Sequence, residues 1–341
     1  MIKDTKELIE CVPNFSEGKD LAKIREITKT IDSTPGVGLL GVEENGDYNR
    51  VVVTFAGGPI GVREAAFRSI ARAVELIDMS VQKGHHPRIG AADVCPFVPI
   101  SGVTMEDCVV LAKALGKEVG EKLGIPVYLY GEAAKVSERT NLSNVRRGEY
   151  EGLEEKLKDP EWRPDFGPCE YNDRVKKTGA IAIGARKLLI AYNISLNTSD
   201  VGLANKIAGR LRESGVVTNR GGKRVRIPGR LKKVQAMAVP MESGVTEISM
   251  NLLDYDVTPP HVAFEAVKGE VKGPGVEIIG SEIVGLVTKM PLLMAGRFYG
   301  CSGTDRELIE TAVKGLRLLK FDPNRKIIEY ATGLGFCNLT S

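Results

Sequence analysis

From residue 188 onward the apolar pattern changes period in a fixed order, and that order restricts the fold more than any other feature of the chain. Residues 188–196 alternate as a strand. Ser199 then caps a helix with Leu203, Ile207, Ala208 and Leu211 inward and Gly215 at its end. Residues 234–239 and 245–253 are strands joined by a short turn, Thr258-Pro259-Pro260 opens a second helix, and 276–287 is a further strand. This order, β-α-β-β-α-β, is the split βαβ or ferredoxin-like arrangement. Residues 304–319 add a C-terminal helix and 327–330 a last strand.

The first half is also mixed. Residues 8–15 read as a strand, and Leu21, Ile24, Ile27 and Ile31 recur at helical spacing with Ser16 in the N-cap region. Gly36-Val37-Gly38-Leu39-Leu40-Gly41 matches G-x-G-x-x-G, but it follows a helix and opens a strand. The dinucleotide fingerprint needs the reverse, so that reading is rejected. Extended runs flank a turn at 43–47, and the second leads through Gly57-Gly58-Pro59 into a helix striped by Val62, Ala66, Ile70, Ala73 and Ile77. A helix from Thr104 stops at Gly124, and 127–130 is a strand. Residues 136–165 are polar and irregular, 165–179 carry no periodicity, and 220–233 read as a loop. The class is α+β: two tandem α/β sandwich-like domains, 1–178 and a ferredoxin-like 179–330, with 331–341 a tail.

A chain of 341 residues suits two such cores, and 43% hydrophobic with 27% charged residues is ordinary for a globular protein. The net charge of +3 does not imply nucleic acid. Six cysteines (Cys11, Cys95, Cys108, Cys169, Cys301, Cys337) are scattered without a C-x-x-C pair, which argues for reduced thiols and against a zinc site. The first residues hold no apolar signal core, and no run is long enough to cross a bilayer, so no membrane partner and a cytoplasmic location are expected. Seven basic residues and no acid lie between Arg220 and Lys233. They suit a polyanion such as a polyglutamyl tail, or a solvated loop; RNA is disfavoured because no aromatic is interleaved for stacking.

Only three histidines are present, and His85 and His86 adjoin. Gly84 and Gly90 free the backbone around them, and Pro87 turns His86 to an extended conformation, so a loop presents the ring. Arg88 sets a forked cation beside a group that titrates near neutral pH, an arrangement suited to acid/base work on an anionic substrate. The competing reading is a surface loop with incidental histidines. Adjacent side chains on extended backbone diverge, so His85 and His86 do not share a metal, and none is expected. His261, in the first turn of a helix, reads as structural. Asn14, Ser16, Asn49, Arg50, Arg186 and Asn193 are polar residues at strand ends or turns, which singly suit backbone hydrogen bonding as well as ligands.

Together these segments resemble the formiminotransferase domain family. The matching stretches include Glu10-Cys11-Val12-Pro13-Asn14-Phe15-Ser16-Glu17-Gly18, Asn49-Arg50, His86-Pro87-Arg88-Ile89-Gly90-Ala91 and Asp93-Val94-Cys95-Pro96-Phe97. Later come Val127-Tyr128-Leu129-Tyr130-Gly131-Glu132, Gly148-Glu149-Tyr150-Glu151, Pro164-Asp165-Phe166-Gly167-Pro168, Gly184-Ala185-Arg186-Lys187 and Gly229-Arg230-Leu231-Lys232-Lys233. The family's Asp-His-Asn-Arg reads Asp47-Tyr48-Asn49-Arg50 here, and Gly41 and Glu43 stand where the family often has Asp. The stretch from Gly167 to Gly179 is about three residues longer than usual and more charged.

The resemblance implies transfer of the formimino group from N-formimino-L-glutamate to tetrahydrofolate, a co-substrate, giving 5-formiminotetrahydrofolate and L-glutamate. It implies His86 as the catalytic acid/base, Asn14, Arg50 and Arg88 as substrate-binding residues, and Gly167, Pro168, Thr178, Gly179 and Arg186 as folate-binding. It also brings the expectation of a homodimer and of a separate cyclodeaminase, since the family's animal members fuse that domain after this unit and nothing follows residue 341. The alternatives are an N-formylglutamate donor, a 5-formyltetrahydrofolate cycloligase-like reaction, and a non-catalytic protein that binds polyanions or folate.

Overall fold

The structure is a computed structural model that describes residues 7–46, 48–84, 87–241, 244–271 and 275–331. The chain forms two compact units, dividing between Lys187 and Leu188.

In the first unit the strands are β1 (Leu8–Cys11), β2 (Asn14–Phe15), β3 (Val37–Asn45), β4 (Arg50–Gly57), β5 (Ala92–Ser101), β6 (Val127–Gly131) and β7 (Ile181–Ala185). The helices are α1 (Leu21–Asp32), α2 (Pro59–Leu76), α3 (Met105–Leu123) and the short α4 (Leu142–Val145), α5 (Leu153–Lys158) and α6 (Asp173–Thr178). The expected strand over 8–15 is broken at Val12-Pro13 into β1 and β2, which both lie between β4 and β5. Outside them β3 pairs with β4, and β7 runs parallel between β5 and β6. Because β7 completes this sheet, the division falls after Lys187 rather than after Thr178.

Alternate residues set the two faces of the sheet. Phe15, Val51, Val53, Phe55, Cys95, Phe97 and Ile183 join the buried stripes of α1, α2 and α3. Cys11 and Cys95 lie with sulfurs 3.5 Å apart in that core, where burial pushes the Cys11 thiol up. On the other face Tyr128, Tyr130, Val94 and Ala182 are covered by the 142–175 segment, through Val145, Leu153, Leu157 and Val175. α3 shows its sequence signals directly: Thr104 and Asp107 make a reciprocal capping box, and Gly124 ends the helix left-handed. α1 is capped by Asp20, not by Ser16. α6, in the stretch that lacked periodicity, is capped by Asn172.

The second unit opens with β8 (Ile190–Leu196), α7 (Val201–Leu211), β9 (Val216–Arg220), β10 (Lys223–Ile227), β11 (Val234–Pro240), β12 (Thr246–Leu252), α8 (Pro260–Glu270) and β13 (Ile278–Val284). Its sheet runs β11-β12-β8-β13, antiparallel throughout. With α7 and α8 as connections, this is the ferredoxin-like order. Asp200, not Ser199, caps α7.

The 220–233 region is not simply a loop: β9 and β10 pair as a hairpin through Gly221-Gly222. Both glycines have positive φ (57° and 80°), as a primed two-residue turn requires. β10 is exposed along its whole length, so no alternating burial marked it. After β13 come α9 (Lys289–Phe298), α10 (Asp305–Gly315) and two single turns, α11 (Pro323–Lys326) and α12 (Ile328–Ala331). α12 replaces the expected strand at 327–330, although Ile327 does bridge to Val287.

His261 is structural: it is buried near the start of α8, its ring stacks on Phe298 at 4.7 Å, and burial lowers its pKa. Among the described residues no helix is long and apolar enough to cross a membrane.

Candidate active site

His85 and His86 lie outside the described residues, and the residues on either side of them are clamped to the first unit. At the entering stem Asn49, held at φ +49° in the β3–β4 turn, is the hub. Its Nδ2 donates to the Lys83 carbonyl (2.7 Å), its Oδ1 accepts from Gly18 N (3.0 Å), and Gln82 Nε2 donates to its carbonyl (3.2 Å). These bonds tie three separate segments together at the point where the loop departs.

The exit stem is held more closely. Tyr150 N donates to the Arg88 carbonyl and Ala180 N to the Ile89 carbonyl, both at 2.8 Å. Ile89 N donates to Asp93 Oδ1 (2.9 Å), and Ser16 Oγ donates to the Gly90 carbonyl (2.7 Å). Ala91 N donates to the Thr178 carbonyl at 2.8 Å. Asp93 is buried and takes Arg146 through Nε at 3.0 Å, with a closer contact from Nη2. Gly179 lies against Gly90 so tightly that a Cβ on it would meet the Ile89 carbonyl oxygen at 2.3 Å. Its φ of +68° excludes a side chain as well.

Arg88, expected to meet a substrate carboxylate, meets carboxylates of its own chain. The residue is 4% exposed. Nη2 and Nη1 form a fork on Glu151 at 2.7 and 2.8 Å, Nη1 also reaches Glu149 at 3.3 Å, and Nε donates to Gln82 Oε1 at 3.0 Å. The hydrogen bonds to Glu151 hold the Arg88 pKa up and the Glu151 carboxyl below its usual value. Arg88 therefore anchors the loop to the 149–151 segment.

A cavity of about 640 Å³ opens here, lined by Lys19, Lys83, Arg88, Glu149, Glu151 and the Gly84 backbone that precedes His85. Both kinds of charge face it. Lys19 and Lys83 are exposed and form no ion pair among the described residues.

The other expected site residues lie outside this lining. Asn14 is on the sheet face away from α1–α3, beside Val52 and Val94, with Nδ2 on the Val12 carbonyl (3.3 Å). Arg50 opens β4, over the Tyr48 ring at 6.0 Å, and burial, then the Arg146 charge, lowers its pKa. Thr178 and Gly179 adjoin the loop exit; the Thr178 hydroxyl is buried and donates to the Arg174 carbonyl at 2.9 Å. Gly167, at φ +81°, packs on Ile125, with Pro168 partly exposed beside it. Arg186, just past β7, donates from N to the Phe97 carbonyl (3.1 Å) and from Nη1 to the Lys187 carbonyl (3.0 Å).

Lys19, Lys83, Gln82, Glu149 and Glu151 had no role assigned from sequence. Glu149 and Glu151 lie in the Gly148-Glu149-Tyr150-Glu151 stretch, which only the fold brings to Arg88. Among the described residues no group of three or more His, Cys, Asp or Glu is placed to hold a metal.

The profile of the formiminotransferase domain, N-terminal subdomain, matches residues 8–186, and that of the formiminotransferase domain matches residues 191–333. The chain belongs to the formiminotransferase family. The junction between the two matched regions coincides with the division of the compact units at Lys187.

Similar proteins fall into two kinds. The formimidoyltransferase-cyclodeaminase of Mus musculus is 46% identical over 334 residues, 95% of this chain and 60% of that protein. The glutamate formimidoyltransferase of Thermoplasma acidophilum is 44% identical over 295 residues, 86% of this chain and 92% of that protein. The protein of the same name from Streptococcus pyogenes is 38% identical over 294 residues, 86% of this chain and 93% of that one. The chain thus spans about three-fifths of the length of the formimidoyltransferase-cyclodeaminase, at 60%, and nearly all of the two glutamate formimidoyltransferases.

Proposed function

We propose that this chain transfers the formimino group of N-formimino-L-glutamate to N5 of tetrahydrofolate, yielding 5-formiminotetrahydrofolate and L-glutamate. The observation that carries this reading is the match of both formiminotransferase regions, 8–186 and 191–333, together with the names of the two relatives covered almost end to end.

In the reaction N5 attacks the amidine carbon and forms the new C–N bond. N5 loses a proton, the glutamate nitrogen gains one, and the old C–N bond breaks with that nitrogen's electron pair. Atoms and charge balance with no further reagent. One imidazole that accepts the first proton and delivers the second is sufficient, and His86 takes that part. The clamped stems support it: a base that serves two nitrogens in turn gains from a loop whose roots do not shift, and holding two substrates in contact supplies much of the acceleration.

Arg88 acts in this reading by fixing the loop through Glu151 rather than by holding the donor. Asn14 and Arg50, on the sheet face free of α1–α3, are assigned to substrate, and Gly167, Pro168, Thr178, Gly179 and Arg186 to folate. Gly167 and Gly179 have no room for side chains, so their part is backbone shape. The β9–β10 hairpin is assigned to the polyglutamyl tail of folate on the strength of its charge. The reading includes a homodimer in the cytoplasm. The described cysteines are all free, as a reducing compartment favours.

The test is to incubate the purified protein with tetrahydrofolate and N-formimino-L-glutamate and to follow released L-glutamate alongside the folate absorbance. Equimolar glutamate and modified folate are expected; neither product at enzyme-like rates would remove the assignment.

A further inference from the structure

The formimino donor and its formyl analogue share two carboxylates and differ in one group. The formimino group makes an amidine, a base strong enough to carry a proton at neutral pH, whereas the formyl group makes a neutral amide. A site that tells them apart therefore needs an acceptor with negative charge close to the reacting carbon.

Glu149 is the carboxylate that this cavity leaves half-open. It faces the 640 Å³ cavity, whose lining includes Gly84 and Arg88. Glu151 uses both oxygens on Arg88, whereas Glu149 offers Arg88 only Oε2, at 3.3 Å. Its Oε1 has no hydrogen bond or ion pair among the described residues, and its side chain is 45% exposed. Its position relative to the loop is fixed on both sides. Its own N donates to the Arg146 carbonyl at 2.8 Å, and the next residue's N donates to the Arg88 carbonyl at 2.8 Å. The left-handed backbone of Glu149, φ +54°, turns the chain between those bonds. Lys19 and Lys83 supply the same cavity with cations whose charge no described carboxylate neutralises by an ion pair. Two cations and one open carboxylate form the complement of a molecule with two carboxylates and one amidinium.

We propose that Glu149 is the residue that selects a cationic amidine donor over its neutral formyl analogue, with Lys19 and Lys83 receiving the donor's carboxylates. This rests on the formimino-transfer reading and seats the donor's carboxylates in this cavity rather than on Asn14 and Arg50, which do not line it.

The test measures binding of N-formimino-L-glutamate and N-formyl-L-glutamate to the full chain by calorimetry, separately from turnover. Wild type should hold the formimino compound about tenfold more tightly, the size of one charge-assisted contact discounted for its half exposure. Glu149→Gln should erase that preference by weakening the formimino donor alone. Lys83→Met should weaken both donors by the same factor, because both carry the same carboxylates. An unchanged formyl affinity in Glu149→Gln also certifies that the variant is folded. A preference that survives Glu149→Gln, an equal loss for both donors there, or two affinities untouched by Lys83→Met would each overturn the proposal. Absence of transfer by wild type from either donor retires the activity; transfer with unaltered donor preference in Glu149→Gln retires only the role of Glu149.

Discussion

Replacing Glu151 with alanine isolates what anchors the loop. Arg88 is 4% exposed, so its guanidinium loses a forked partner at 2.7 and 2.8 Å in a place water enters poorly. Breaking a fully buried pair from one side costs about 3–5 kcal/mol. The Glu151 side chain is 55% exposed, however, which screens the pair, and Glu149 remains within 3.3 Å to take up part of the charge. The expected loss is then about 1–2 kcal/mol, or a fall of about 2–8 °C in the melting of a unit this size. The pH dependence has a definite sign. Arg88 lowers the folded pKa of Glu151, so the pair's stabilisation is present above the unfolded carboxylate value, about 4.3, and is lost as pH falls through the lower folded value. Urea unfolding of wild type and Glu151→Ala at pH 7 and again in the acid limb is the assay. A gap near the stated size at neutral pH that closes in acid is expected, with kcat reduced more than KM is raised. Equal urea midpoints at pH 7, or a gap indifferent to pH, would refute the assignment of Arg88 as an anchor held by its charge.

Two further substitutions test other parts of the frame. Gly179→Ala places a Cβ 2.3 Å from the Ile89 carbonyl oxygen at φ +68°, so it should cost about 2 kcal/mol or more; a wild-type melting curve would show that this packing gives way easily. Lys223→Gln with Arg224→Gln, on the exposed strand β10, should leave melting unchanged, weaken polyglutamyl folate and spare monoglutamyl folate. Equal affinity for both folates in that variant would separate the hairpin from folate recognition.

The parts legible in the sequence were those with local causes. Thr104 and Gly124 bound α3 because capping chemistry is written within four residues of each end. The β8-α7-β11-β12-α8-β13 order followed from periodicity, since each element buries one stripe. The hairpin at 216–227 reads as a loop from its glycines and charges, with β10 exposed along its whole length, although Gly221-Gly222 is also a turn signal. α6 is under two turns long and leaves no period to detect. The boundary was set early because β7, chemically a plain apolar run, belongs with strands far earlier in the chain.

At the site, Gly84, Pro87 and Gly90 act locally and point to a loop at 84–90, whose two histidines lie outside the described residues. The partner of Arg88 could not, because Glu151 lies 63 residues away and only the tertiary fold brings them together. A lone arginine in a motif is as readily satisfied by its own chain as by a substrate, and the sequence carries no mark that distinguishes the two. Lys19 and Lys83 carry no mark either, since exposed lysines are common and only the cavity gives these a shared object.

The loop's purpose in this account is to hold one base between two nitrogens. Rapid-mixing measurement of formimino transfer by His86→Ala, with His85→Ala as control and folate binding followed in parallel, tests that purpose most directly. The account predicts a loss of at least about 100-fold in the His86 variant, intact folate binding, and near-normal transfer in the His85 variant. Transfer by His86→Ala at the wild-type rate would contradict it.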